Sequence, residues 1–218
     1  MKKLRNAQAP IQRYSPLEES LNIWSHGFGV LLSATGIVLL VLRAVEKNDP
    51  FYTIGSLVFA VSQLLLYSAS TIYHSRKSEE ARRRWKVLDH CAIYLLIAGS
   101  YTPYTLVTLR GTVGWVLFGI IWAMALGGII LKVFFTGRFK ILSTLTYLIM
   151  GWAVVFAFGP LRAAYPEEGF FWLIISGAAY TSGAVLYAIK AVPLNHFFFH
   201  LLVLLGSLAM FWGIFQYI

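Results

Sequence analysis

Charge is scarce in this chain of 218 residues: charged side chains make up 12% of it, and only nine are acidic. Four stretches carry no acidic, basic or histidine side chain: between His26 and Arg43, between His90 and Arg110, between Lys140 and Arg162, and beyond His200. A conducting path through a bundle usually needs polar or ionisable groups along its depth, so these stretches argue against an aqueous pore. Cysteine is scarcer still. Cys91 is the only one, which excludes an internal disulfide and a thiolate-rich metal site, so any metal must be held by histidine and oxygen. Long polar linkers are missing too, which leaves one domain without a soluble appendage. No internal repeat of the kind transporters carry is visible.

What the chain has instead is apolar length. Hydrophobic residues make up 58% and aromatic residues 16%. Runs of about 20 apolar residues are long enough to cross a hydrocarbon core of roughly 30 Å as helix. Seven such runs can be drawn, at 23–45, 51–74, 87–109, 113–135, 139–161, 169–189 and 193–217. The expected fold is an all-α membrane protein, a seven-transmembrane helix bundle over 23–218 preceded by a polar, basic segment, 1–22. The first run has a full spanning length and no small-residue cleavage site, so it reads as a retained span rather than a removable signal peptide.

A net charge of +9 raises the question of nucleic acid, but the basic residues are sorted by loop rather than spread along one face. Fourteen fall on one side: Lys2, Lys3, Arg5 and Arg13 before the first span, Arg76, Lys77, Arg82, Arg83, Arg84 and Lys86 in the second loop, Lys132, Arg138 and Lys140 in the fourth, and Lys190 in the sixth. Only Arg43, Lys47, Arg110 and Arg162 fall on the other. The positive-inside bias then places the N-terminus in the cytoplasm and, after seven crossings, the C-terminus outside. The expected location is the cell (inner) membrane, and the expected partners are membrane lipids, with no nucleic acid. Each basic residue of the second loop is worth on the order of 1 kcal/mol against anionic headgroups. A homo-oligomer is compatible with this composition.

Ser15-Pro16-Leu17-Glu18 has the form of a helix start, with a Ser N-cap, Pro at the first helical position and Glu three residues after the cap. It predicts a short interfacial helix leading into the first span. On it Glu18, Asn22 and His26 share one face, either as a polar stripe at headgroup depth or as part of a site. Small residues at Gly127-Gly128, Ser176-Gly177-Ala178-Ala179 and Ser182-Gly183-Ala184 allow close helix approach. Pro103 should kink or loosen the third span, with Thr102 and Thr105 able to satisfy freed backbone groups.

All five histidines, His26, His74, His90, His196 and His200, lie at ends of apolar runs, and on this topology all five ends are on one side of the membrane. Ser70 and His74 are four apart at the end of the second span, and His196 and His200 are four apart at the start of the seventh. A pair at that spacing points both imidazoles the same way, so one helix can give two ligands to one metal. Asp89 opens the third span at the same side. Three histidines with an open fourth position describe a catalytic zinc site better than a structural one. Asp89 would bind or hold a water there, with Ser70 beside it as hydrogen-bond donor or acceptor. Zinc can bring the pKa of water from about 16 to about 7. For His26 and His90 a plain interfacial role is the preferred reading, since His90 lies about 100° around the helix from Asp89. Phe197, Phe198 and Phe199 read as packing or lipid-facing residues.

These motifs also carry a resemblance. Glu18-Glu19 with Asn22, Ser25-His26-Gly27, Ser70-x-x-x-His74, Leu88-Asp89-His90 leading to Ile97-Ala98-Gly99-Ser100-Tyr101-Thr102-Pro103, Gly151-Trp152 and His196-x-x-x-His200 resemble the hemolysin III family. That family is the bacterial branch of the progestin and adipoQ receptor superfamily, seven-span proteins related to alkaline ceramidases. The resemblance runs from about residue 15 to the end. It implies a zinc ion on His74, His196 and His200, with Asp89 and Ser70 as partners, near the cytoplasmic face. One departure is Met210, where many relatives have a further histidine that is not an expected zinc ligand.

Three functions follow as expectations. The first is a zinc-dependent hydrolase acting on an amide or ester of a membrane lipid that enters laterally, with a role in lipid and fluidity homeostasis. The second is a non-enzymatic, receptor-like membrane protein that helps set membrane fluidity or lipid composition, with zinc holding three helices together. A pore-forming hemolysin is the third and the least supported by the charge-free spans.

Overall fold

The computed structural model describes residues 13–135, 140–189 and 191–218. Lys2, Lys3, Arg5, Arg138 and Lys190, counted above toward orientation, lie outside the described residues, as do residues 1–12 of the expected N-terminal segment.

Eight α-helices build seven spans among these residues: α1 (Pro16–Lys47), α2 (Pro50–Ser75), α3 (Glu79–Pro103), α4 (Thr112–Phe135), α5 (Lys140–Trp152), α6 (Phe158–Ala164), α7 (Glu167–Ala188) and α8 (Asn195–Tyr217). The fifth span is composite, with a 3-10 turn at Ala153–Ala157 joining α5 to α6. The protein is a multi-pass membrane protein of the expected all-α class. Side chains such as Trp24, Val45, Phe134 and Phe156 stand outward with most of their surface uncovered, as lipid-facing positions do.

Local chemistry sets the helix starts. Ser15 Oγ accepts from the Glu18 N–H at 3.2 Å, Asp49 Oδ1 from the Phe51 N–H at 2.9 Å, and Ser78 Oγ from the Ala81 N–H at 3.3 Å; Pro16 and Pro50 occupy first-turn positions where an N–H is not needed. α1 runs unbroken from its cap through the first span, so the expected short interfacial helix is its first two turns. α3 also starts earlier than hydropathy predicts, at Glu79 rather than about 87, because Ser78 caps it and its basic first turns remain helical.

Pro103 ends α3 and a π-helical turn, Tyr104–Thr108, follows it. Thr102 Oγ1 donates to the Ala98 carbonyl at 2.7 Å and Thr105 Oγ1 to that of Tyr101 at 3.0 Å, the local repair expected of them. In the fifth span, the Tyr101 hydroxyl accepts from the Val154 N–H at 2.9 Å and donates to the Gly151 carbonyl at 2.8 Å, supplying partners where the α-helical ladder opens.

α2 lies against both α1 and α3, α7 lies against α8, and the spans of α2, α3 and α8 are the most buried. Tyr52, Phe59, Tyr67, Tyr94, Ile121 and Ile214 are among the buried core residues. Gly128 allows α4 to lie on the Tyr94 ring, where a Cβ would come within 2.2 Å of it. Gly127 and Gly177 meet nothing nearby, so only some of the small residues serve helix approach.

Candidate metal centre

The end of the bundle that gathers histidines is built from the first turns of α1 and α8, the last turn of α2 and the early turns of α3. His74, His196 and His200 each offer one ring nitrogen to a group in which all three nitrogens lie within 4.8 Å of one another. All three residues are buried. His196 and His200 come from one face of α8, as their spacing requires, and His74 reaches them from α2. His74 Nε2 and His196 Nε2 are 3.1 Å apart. Two nitrogens bound at 2.0–2.1 Å to a tetrahedral zinc would be about 3.3 Å apart, so this pair is nearly set for one ion.

The hydrogen bonds behind the rings fit the same ion. His74 Nδ1 lies 2.7 Å from Glu19 Oε2, and Ser25 Oγ lies 3.2 Å from His200 Nδ1. A metal-binding imidazole almost always directs its other ring N–H to a carboxylate, carbonyl or similar acceptor. Glu19 also pairs with Arg82, and the Arg82 guanidinium sits 4.7 Å from the centre of the Tyr73 ring. Glu18 accepts the His196 backbone N–H at 3.2 Å. The three rings can therefore hold a metal ion, and the partners behind two of them leave their other nitrogens for it.

Asp89 and Ser70 sit beside this group. The Ser70 hydroxyl faces the Asp89 carboxylate, which is also within electrostatic reach of His74. Tyr14 lies flat on His196, with ring centres 4.6 Å apart and planes 10° apart. Burial, reinforced by Tyr187, Tyr73, Glu18 and Glu19 nearby, pushes the Tyr14 phenol far above its usual range.

Three expectations need correction. His26 is not an interfacial residue: it is 2% exposed and stacked on His200, with ring centres 3.5 Å apart, because its face of α1 turns inward against α8. Arg82 is not part of a lipid-anchoring loop, since it lies in α3, nearly fully buried, and answers Glu19. Lys132, counted in the fourth loop, lies in α4 and is likewise buried, 5.8 Å from the Tyr147 ring centre. His90 stands apart from the trio, its Nδ1 2.6 Å from the Lys86 carbonyl. Phe199 packs against Tyr187 and His196, whereas Phe198 is exposed.

The roles of Glu19, Ser25 and Arg82 were missed. A signal for two of them existed: Glu19, Asn22 and His26 fall at i, i+3 and i+7, and Glu18, Asn22 and Ser25 at i, i+4 and i+7, so all five line one helix face. Asn22 and His26 on that face are buried with no hydrogen-bond partner for either side chain among the described residues.

A model of the family described as Haemolysin-III related matches residues 14–211. The chain belongs to that family. Within reach of this Haemolysin-III related chain are "Hemolysin-3" of Bacillus cereus, 42% identical over 201 residues, with 92% of each chain covered, and "Hemolysin-3 homolog" of Bacillus subtilis (strain 168), also 42% identical, over 92% of this chain and 94% of that one. The human "Monocyte to macrophage differentiation factor" is 25% identical over 98% of this chain and 91% of its own length. That more distant likeness extends the Haemolysin-III relationship to the wider superfamily indicated by the motifs.

Proposed function

We propose that the protein holds one zinc ion between His74, His196 and His200 at the cytoplasmic end of the bundle, and hydrolyses an amide or ester bond of a membrane lipid in the service of membrane lipid and fluidity homeostasis. The observation that carries the reading is the convergence of three buried ring nitrogens from α2 and α8 beside a carboxylate. The N-terminus is cytoplasmic in this reading, on the strength of the sorted Lys and Arg residues.

Bound there, zinc supplies a Lewis acid that polarises a carbonyl and makes water an effective nucleophile at neutral pH. Asp89 supplies the nearby base: a carboxylate oxygen takes the proton from the attacking water and returns it to the departing amine or alcohol. Ser70 holds that carboxylate in place through its hydroxyl. Tyr14 covers His196 and keeps bulk water from the cytoplasmic side, which favours lateral entry of the lipid from the bilayer.

His196→Ala tests it. The variant should lose both bound zinc and lipid turnover in purified protein; steady turnover by zinc-free protein would refute the proposal. A second reading, zinc as a clasp between α2 and α8 without turnover, is favoured by the cluster drawing its ligands from only those two helices. In that case zinc raises thermal stability while no lipid is consumed. Lysis, suggested by the relatives' names, is tested by zinc-independent conductance in planar bilayers.

A further inference from the structure

Helix α1 contributes none of the three clustered nitrogens, yet it places a partner against each of the residues that do. Glu19 Oε2 meets His74 Nδ1 at 2.7 Å, Ser25 Oγ meets His200 Nδ1 at 3.2 Å, and Glu18 Oε1 accepts the His196 backbone N–H at 3.2 Å. We propose that α1 is the positioning element of the metal centre, with Glu19, Ser25 and Glu18 setting His74, His200 and His196 respectively. This rests on the reading of the cluster as a zinc site.

The three contacts act in different ways. A carboxylate can only accept, so the contact with Glu19 calls for an N–H at His74 Nδ1 and makes Nε2 the nitrogen turned to a metal. Ser25 Oγ donates to the Asn22 carbonyl at 3.1 Å, which leaves its lone pairs to accept from His200 Nδ1 and frees His200 Nε2 in turn. α8 has no side-chain cap of its own: Leu194 precedes it in the left-handed region, at φ 55°, and makes no capping hydrogen bond. Glu18 supplies the missing acceptor from another helix, so the first turn of α8, and His196 with it, is set by the docking of α1. Arg82, buried on α3 and paired with Glu19, holds that carboxylate toward His74 and brings a third helix into the same arrangement.

The test is competition for zinc between a chelator and the full-length protein in detergent. It compares wild type, Glu19→Gln, Ser25→Ala, Glu18→Gln and, as a control on the far end of α1, Glu46→Gln. Glu19→Gln should weaken zinc binding by 10- to 100-fold, the usual effect of removing such a partner. Ser25→Ala and Glu18→Gln should weaken it by less than Glu19→Gln does, Glu19→Asp, added to the series, should recover part of the Glu19→Gln loss, and Glu46→Gln should match wild type. Two readouts separate positioning from general damage: the visible spectrum of the cobalt-loaded protein, which should change in Glu19→Gln, and melting of the metal-free protein, which should not fall in step with affinity. Wild-type affinity and an unaltered cobalt spectrum in both Glu19→Gln and Ser25→Ala overturn the inference, as does an affinity loss explained by lower metal-free stability. A wild type that holds no zinc overturns the zinc reading itself, and this inference with it.

Discussion

At the end of the bundle that gathers the histidines, helices are tied to one another through buried and half-buried polar side chains: Glu19 to His74 and Arg82, Glu18 to the start of α8, Ser25 to His200. At the opposite end the ion pairs lie at the surface. Arg110 meets Asp49 at 2.6 Å and Arg162 meets Glu167 at 3.1 Å, each with a half-exposed arginine, while the buried links there are tyrosine hydroxyls, such as Tyr165 donating to the Gly213 carbonyl at 2.9 Å. Buried charges are costly unless each is answered, so a protein that keeps several at one end has a use for them that packing alone does not explain.

The largest effect expected from this contrast is at the histidines. At a free zinc concentration of 100 times Kd, zinc should stabilise wild type by about 2.7 kcal/mol, and His74→Ala should show none of it. Unfolding in detergent with and without zinc measures this. Equal zinc stabilisation in the variant would remove the distinction between the two ends.

Next comes close packing at the plain end. A Cβ at Gly114 would fall 2.1 Å from the Thr105 carbonyl oxygen and 2.4 Å from that of Leu109, backbone atoms that cannot step aside. Gly114→Ala should cost about 1–3 kcal/mol of stability and leave zinc affinity untouched. Gly119→Ala on the same helix meets nothing within 4 Å and should be silent. Denaturant titration of the pair checks both.

Smaller still is the Asp49–Arg110 pair. Arg110→Ala should lower stability by no more than about 1 kcal/mol, and by less at high salt. Acid sharpens the point. Burial pushes the Asp49 carboxyl up, but the Phe51 N–H and the Arg110 guanidinium together outweigh it and hold the group below its ordinary value. A carboxylate with a lowered folded pKa stabilises the fold above its unfolded pKa of about 3.9, and that contribution fades as pH falls through the folded value. Asp49→Asn should therefore lose a little stability at neutral pH and show a shallower decline below about pH 4, read from unfolding curves across that range.

Much of this is legible in the linear pattern of residues. Apolar length gave seven spans, the Ser15 and Pro16 start marked the first helix, and the four-residue spacing of His196 and His200 set two rings on one face. The topology put His74 and Asp89 at the same depth. What the linear pattern misread were residues whose neighbours lie on other helices. Arg82 looked like one more member of a basic loop, because nothing nearby in sequence reveals that Glu19 sits across from it. His26 looked interfacial for the same reason, since only the packing of α1 on α8 buries it against His200.

By itself, then, the order of residues determined the spans, the capped starts of α1, α2 and α3 and which histidines could share an ion, because hydropathy, capping and helical periodicity act over a few neighbouring residues. Which carboxylate answers which histidine, at the ring of His74 or the backbone N–H of His196, was decided only by tertiary structure. Those contacts join positions 55 and 178 residues apart, and only the crossing of whole helices brings them within hydrogen-bond reach.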